Sequence, residues 1–166
     1  DATAMEHLGR GGRVWLLLRE NLQQRGASFF PASGGALGTL VRNHPALTGS
    51  PHEEFCDLQF YNLLQGAHPL AIDGWPASIT PIVGGLRTTS EFLSKTKKLS
   101  RVSYALEANA GGGKLLVTTL RLRENFDEAF PAAMTLFDGF LRYAAGPDFK
   151  PSLDLPKDDL RRLVTD

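Results

Sequence analysis

A single cysteine, Cys56, is the sparsest feature of this 166-residue chain. It excludes an internal disulfide and a four-cysteine zinc site, and it leaves the redox compartment unread. Charge of one sign is also missing. Eighteen basic residues balance eighteen acidic ones, so there is no overall electrostatic footprint for nucleic acid or an anionic membrane, which would require clustered, uncompensated Lys and Arg. The one basic cluster, Lys95, Lys97, Lys98 and Arg101, has no aromatics interleaved for base stacking and reads as a solvated edge. No apolar run approaches the ~20 residues of a membrane-spanning helix. Nucleophile motifs are absent too: there is no Gly-x-Ser-x-Gly elbow, and Gly111-Gly112-Gly113-Lys114 is followed by Leu115, where a phosphate loop would place Ser or Thr and open a helix.

What is present fits one α/β domain with a full core, 42% of the residues being apolar. Residues 2–8 read as the last turns of a helix, stopped by Gly9, Gly11 and Gly12. The unbroken apolar run 14–18 then looks like a strand buried on both faces, the mark of a parallel sheet. The chain is thus expected to open inside a βαβ unit, incomplete at its N-terminus. Residues 27–30 are expected as a strand, and the glycine-rich stretch from Ser33 as a loop. Ser50-Pro51-His52-Glu53 carries the signature of a capped helix start and predicts a helix over 51–64, with Cys56 inside it and Phe55, Leu58, Tyr61 and Leu64 recurring along one side. Residues 69–72 and 79–83 are short enough for strands around the turn 73–76. Between 102 and 109, Val102, Tyr104, Leu106 and Ala108 alternate with Ser103, Ala105, Glu107 and Asn109; with the glycines after them and the run 114–122, this predicts a β-hairpin. A helix from Pro131 to about Ala144 carries an apolar stripe. Residues 149–155 read as extended, and 157–163 as a short polar helix.

Candidate chemistry is thin. Glu53 and Asp57, four apart on the expected helix, with His44, His52 and Glu54 nearby, could present carboxylates to one ion, but capping and the helix dipole are the favoured explanation, and no metal or cofactor is expected. Trp75, between Gly74 and Pro76, and Tyr61 are the aromatics placed to stack on a sugar ring.

The ordered segments His44-Pro45-Ala46-Leu47, the Asp57-x-Gln59-Phe60 helix, Pro81-Ile82-Val83, Glu107-Ala108 with Gly113-Lys114-Leu115-Leu116-Val117, and Leu141-Arg142-Tyr143 resemble an accessory domain of family 2 glycoside hydrolases annotated β-galactosidase-like or sugar-binding, over residues 10–145. Phe60 and Tyr61 stand where that family usually carries tryptophans. The resemblance implies a three-layer, mainly parallel α/β sheet with a β-hairpin and flanking helices, similar to glutamine amidotransferases or flavodoxins. It implies an accessory domain over 1–146, a C-terminal extension or linker over 147–166, and a non-catalytic module packing on the catalytic domain of the same polypeptide. A glycan would be held by Trp75, Tyr61, His44, Glu53 and Asp57, in a periplasmic or extracellular protein. A second reading is a ThuA-like or amidotransferase-like sugar-utilisation enzyme or small-sugar-binding protein, with His44, Glu53 and Asp57 lining its pocket. A third is a pure interaction module, whose signature is an exposed apolar patch of several hundred Å2.

Overall fold

The computed structural model describes residues 2–18, 37–89, 98–126 and 130–164. The strand expected at 27–30, the loop from Ser33, and Lys95 and Lys97 fall outside them. The described residues form α1 (Ala2–Gly9), β1 (Arg13–Leu17), β2 (Leu37–Val41), α2 (Tyr61–Leu64), β3 (Leu70–Ala71), β4 (Val83–Thr89), β5 (Lys98–Ala110), β6 (Gly113–Thr118), α3 (Pro131–Ala145) and α4 (Lys157–Val164). One six-stranded sheet runs β1-β6-β5-β4-β2, with β3 paired to β5 off that path.

The long strand β5 organises everything. Its first half pairs with β4 on one edge and β3 on the other, and its second half pairs with β6. The edge that β4 leaves free is taken by residues 153–155, through Asn109 N–H to Leu153 O at 2.7 Å and Leu155 N–H to Asn109 O at 2.8 Å. Gly111 and Gly112, at φ +63° and +102°, form the two-residue turn into β6. Two positive φ values in succession match the twist of an antiparallel hairpin, and glycine reaches them without Cβ strain.

The fold is mixed α/β, but the sheet is mostly antiparallel, where the apolar run of β1 had suggested mainly parallel. Only β1–β6 is parallel among the pairings of described strands. A run apolar on both faces reports cover on both sides, and says nothing of the direction of its neighbour. Cover is indeed two-sided: Val14 and Leu16 lean on the core under α1 and α4, while Trp15 and Leu17 lean on the core under α3. α3 sits close to the turn at Pro45–Leu47, because a Cβ on Gly139 would come within 2.6 Å of Ala46 O. The Arg13 guanidinium holds the other end of α3, donating to the carbonyls of Ala144, Ala145 and Gly146 at 3.2, 2.8 and 2.6 Å; a cation there also meets the negative end of the helix dipole. Residues beyond Gly146 pack into this same body: Phe149 is buried in the α3 core, and Leu155, Leu160 and Leu163 in the α1/α4 core.

Two local expectations change. The helix foreseen over 51–64 is reduced to a 3-10 turn at Leu58–Phe60 running into α2. Upstream of it the backbone pairs along the outer edge of β2, with Val41 N–H to Glu54 O and Cys56 N–H to Thr39 O, both 3.1 Å. These sheet bonds leave 54–56 no helical partners, and Asp57 rather than Ser50 caps the turn, accepting from Gln59 N–H at 3.0 Å. The stripe read along that helix is inverted as well: Phe55, Leu58 and Tyr61 are exposed, whereas Phe60 and Leu63 are wholly buried. Residues 79–82, expected in a strand, precede β4, which starts at Val83.

Candidate functional site

A β-bulge builds the polar centre of the molecule. Val83 pairs with Ala105 but Gly84 pairs with Ser103, so two residues of β5 oppose one of β4 and the strand's alternation slips by one. Val102, Tyr104 and Ala105 all enter the α3 core, whereas Leu106, Ala108 and Ala110 enter the α1/α4 core. Glu107 is thereby turned to the α3 side, against the sequence reading that set Tyr104 and Leu106 on one face.

There it meets two rings. The Tyr143 hydroxyl of α3 donates to Glu107 Oε2 at 2.5 Å, and His44 Nε2 lies 3.5 Å from Glu107 Oε1. His44 Nδ1 accepts the Ala46 backbone N–H at 3.2 Å, which assigns the imidazole hydrogen to Nε2, facing the carboxylate. The His44 and Tyr143 rings meet edge-on at 4.8 Å. Burial pushes the Glu107 carboxyl up, but the hydrogen bonds from His44 and Tyr143, with the charges of His44 and Arg42, overcome it and hold the pKa below 4.5. Tyr143 is shifted the other way, raised by burial and then by the neighbouring carboxylate. A general base needs a nitrogen or oxygen open to its substrate. Both nitrogens of His44 and both oxygens of Glu107 already face protein partners, so the cluster ties β5, α3 and the chain after β2 together and fixes where Arg42 and Asn43 emerge.

Two concavities flank that chain. A groove of about 670 Å3 lies on the side of β2, β4 and β5 away from α3, with Leu40, Leu86, Gly84 and Ile72 among its walls and Arg42 and Arg101 at its margins. Leu40 is 62% exposed and Leu86 41%. The arginines are held by carbonyls, Arg42 Nη1 donating to Thr80 O at 3.4 Å and Arg101 Nη2 to Ile72 O at 3.0 Å. The second concavity, a cleft of about 280 Å3, is polar and lined in part by His44, Thr48, Ser50 and His52. Asn43 and Glu54 line both. Glu54 sits at φ +65°, the one non-glycine in the left-handed region among the described residues.

Of the candidate ligands singled out from sequence, His44, His52 and Glu54 border the polar cleft. Trp75 is half-buried against the α1/α4 core, Tyr61 is exposed at the start of α2, Glu53 is exposed, and Asp57 is engaged as a cap; these four are not brought together. Cys56 is half-buried outside any helix, and its thiol is pushed up to about 12, first by burial and then by Asp57, which keeps it protonated and unreactive. No group of three or more His, Cys, Asp or Glu among the described residues is arranged to hold a metal ion, and no described helix is long and apolar enough to cross a membrane. Glu107, Tyr143 and Arg42 had no site role in the sequence reading, whereas Glu54 was grouped there with His44, His52, Glu53 and Asp57 as a candidate ligand. The available signal was Glu107 itself, a carboxylate between Leu106 and Ala108 in an apolar strand.

No curated protein matches the chain. The family model described as a domain of unknown function (DUF8487) matches residues 1–165, nearly the whole length, and the chain therefore belongs to that family.

Proposed function

We propose that this domain is a non-catalytic binding module that takes up an apolar ligand in the groove beside β2, β4 and β5. The groove itself carries the reading. Its volume of about 670 Å3 suits a small-molecule site, which is typically apolar with a few placed polar groups, and Leu40 and Leu86 stand exposed beside it. A protonated Cys56 and a fully engaged His44 supply no nucleophile or free base. The resemblance to accessory domains of family 2 glycoside hydrolases supports the non-catalytic half of the proposal and suggests a catalytic neighbour in the same polypeptide, with glycan as the substrate of that neighbour. Titration with the fluorescent apolar probe 8-anilinonaphthalene-1-sulfonate tests the groove. One saturable site is expected, lost in the Leu40→Glu/Leu86→Glu double variant while its circular dichroism is unchanged. Binding that survives both substitutions, or never saturates, overturns the proposal.

A further inference from the structure

The groove and the polar cleft share a wall. Asn43 and Glu54 border both, so the groove and the cleft adjoin at those two residues. The cleft offers donors and acceptors in mixture: the Asn43 amide, the Thr48 and Ser50 hydroxyls, the Glu54 carboxylate and His52. His52 Nδ1 accepts the Glu54 backbone N–H at 3.2 Å, which leaves Nε2 as a donor. Such a set matches neighbouring hydroxyls, each of which both gives and takes a hydrogen bond. It suits a charged head poorly, because an anion meets Glu54 and a quaternary ammonium finds one carboxylate with Arg42 on the groove side. Glu54 stands out further by its backbone. A side chain other than Gly, Asn or Asp rarely occupies φ near +65°, and strain of this kind is held where the surrounding structure has a use for it.

We infer that the ligand is amphipathic, an alkyl or other apolar chain lying in the groove with a neutral polyhydroxyl head such as a glycosyl group in the cleft, and that Glu54 determines the choice of head. The inference rests on the groove reading of the preceding section. One octyl chain with different heads separates the two: octan-1-ol, octyl β-D-glucoside, octanoate and octyltrimethylammonium, each titrated calorimetrically into the full chain below its micelle concentration. The glucoside is expected to bind about tenfold or more tighter than the alcohol, the worth of a hydrogen bond to a charged group, and the two ions no better than the alcohol. Glu54→Gln should erase most of that preference, bringing the glucoside affinity down toward that of octan-1-ol measured on the same variant. Glu54→Gly, which suits the local backbone and therefore folds, should do the same. Equal binding of all four heads, a preference for either ion, or glucoside selectivity that survives both Glu54 variants overturns the inference while the groove stands. Failure of all four to bind removes the groove reading and the inference with it.

Discussion

The two halves of β5 are one strand in two environments. Beyond the bulge, Leu106, Ala108 and Ala110 are sealed beneath α1 and α4, and both backbone edges are paired, by β6 and by residues 153–155. Before it, Leu99 is 57% exposed and Arg101 borders the open groove. On the face away from α3, the cover of α1 and α4 stops where the alternation slips. On that face sealed surface is therefore concentrated in one half and open surface in the other, a division expected of proteins that mount their sites on a rigid scaffold.

Paired truncations along the strand would break that comparison most directly. Leu106→Ala, in the sealed half, should cost about 2–5 kcal/mol of unfolding free energy, and Leu99→Ala, in the open half, within about 0.5 kcal/mol. Urea denaturation of both variants measures the contrast, and equal losses would mean that the open half is as firmly packed as the other.

Next in size is the polar lock. Tyr143→Phe should cost about 1–3 kcal/mol, since it strips a partly buried carboxylate of a donor. Its pH signature has two limbs. Glu107 titrates lower in the fold than its ordinary 4.5, so its contribution is fully present above that value and is lost as pH falls through the lowered one. Tyr143 titrates above its ordinary 10.0, so its contribution is present below pH 10.0 and is lost as pH rises through the raised value. Melting temperature plotted against pH should fall on both sides for the parent chain. In Tyr143→Phe the tyrosine's share of the alkaline fall should vanish, and the acid fall should begin at higher pH.

Smaller effects sharpen the picture of the open side. Glu54→Gly should stabilise the chain by about 1 kcal/mol, read from denaturant midpoints, by relieving a left-handed backbone position that glycine occupies freely; destabilisation instead would mean that the Glu54 side chain contributes more to the fold than its backbone costs. Least of all, iodoacetamide should label Cys56 at pH 8 far more slowly than a free thiol of ordinary pKa, because a thiol near 12 carries very little thiolate there.

Legibility followed the same division. α3 and the β5–β6 hairpin could be read because a long apolar stripe and a Gly-Gly turn are strong local signals that the packing does not contradict. Residues 51–57 misled because Ser50, Pro51 and Glu53 supply every local cue for a helix, and pairing along the edge of β2 outweighs them. The bulge was invisible for a different reason. Ala105 is small and apolar, at home on either face, so the sequence alternates without a break across the point where the strand does not. Missing the bulge hid the site, since Glu107 then faced away from His44 and Tyr143. Aromatic residues drew attention instead, and Trp75 proved to pack half-buried on the α1/α4 core while Tyr61 stands exposed at the start of α2.

The bulge makes the pairing of residue count with strand geometry, more than residue chemistry, the property this segment must keep. Substitutions at Tyr104 or Ala105 alter how well the strand packs but leave its phase intact. Removing one of these two would restore strict alternation and leave every downstream side chain on its present face, whereas losing the bulge at the present length would carry the Glu107 carboxylate into the apolar layer beneath α1 and α4 and deliver Leu106 to His44 and Tyr143. A deletion elsewhere in this strand, with the bulge kept, is thus equivalent to exchanging its two faces on one side of the break, and relatives that share the fold should vary in length here only at the bulge itself.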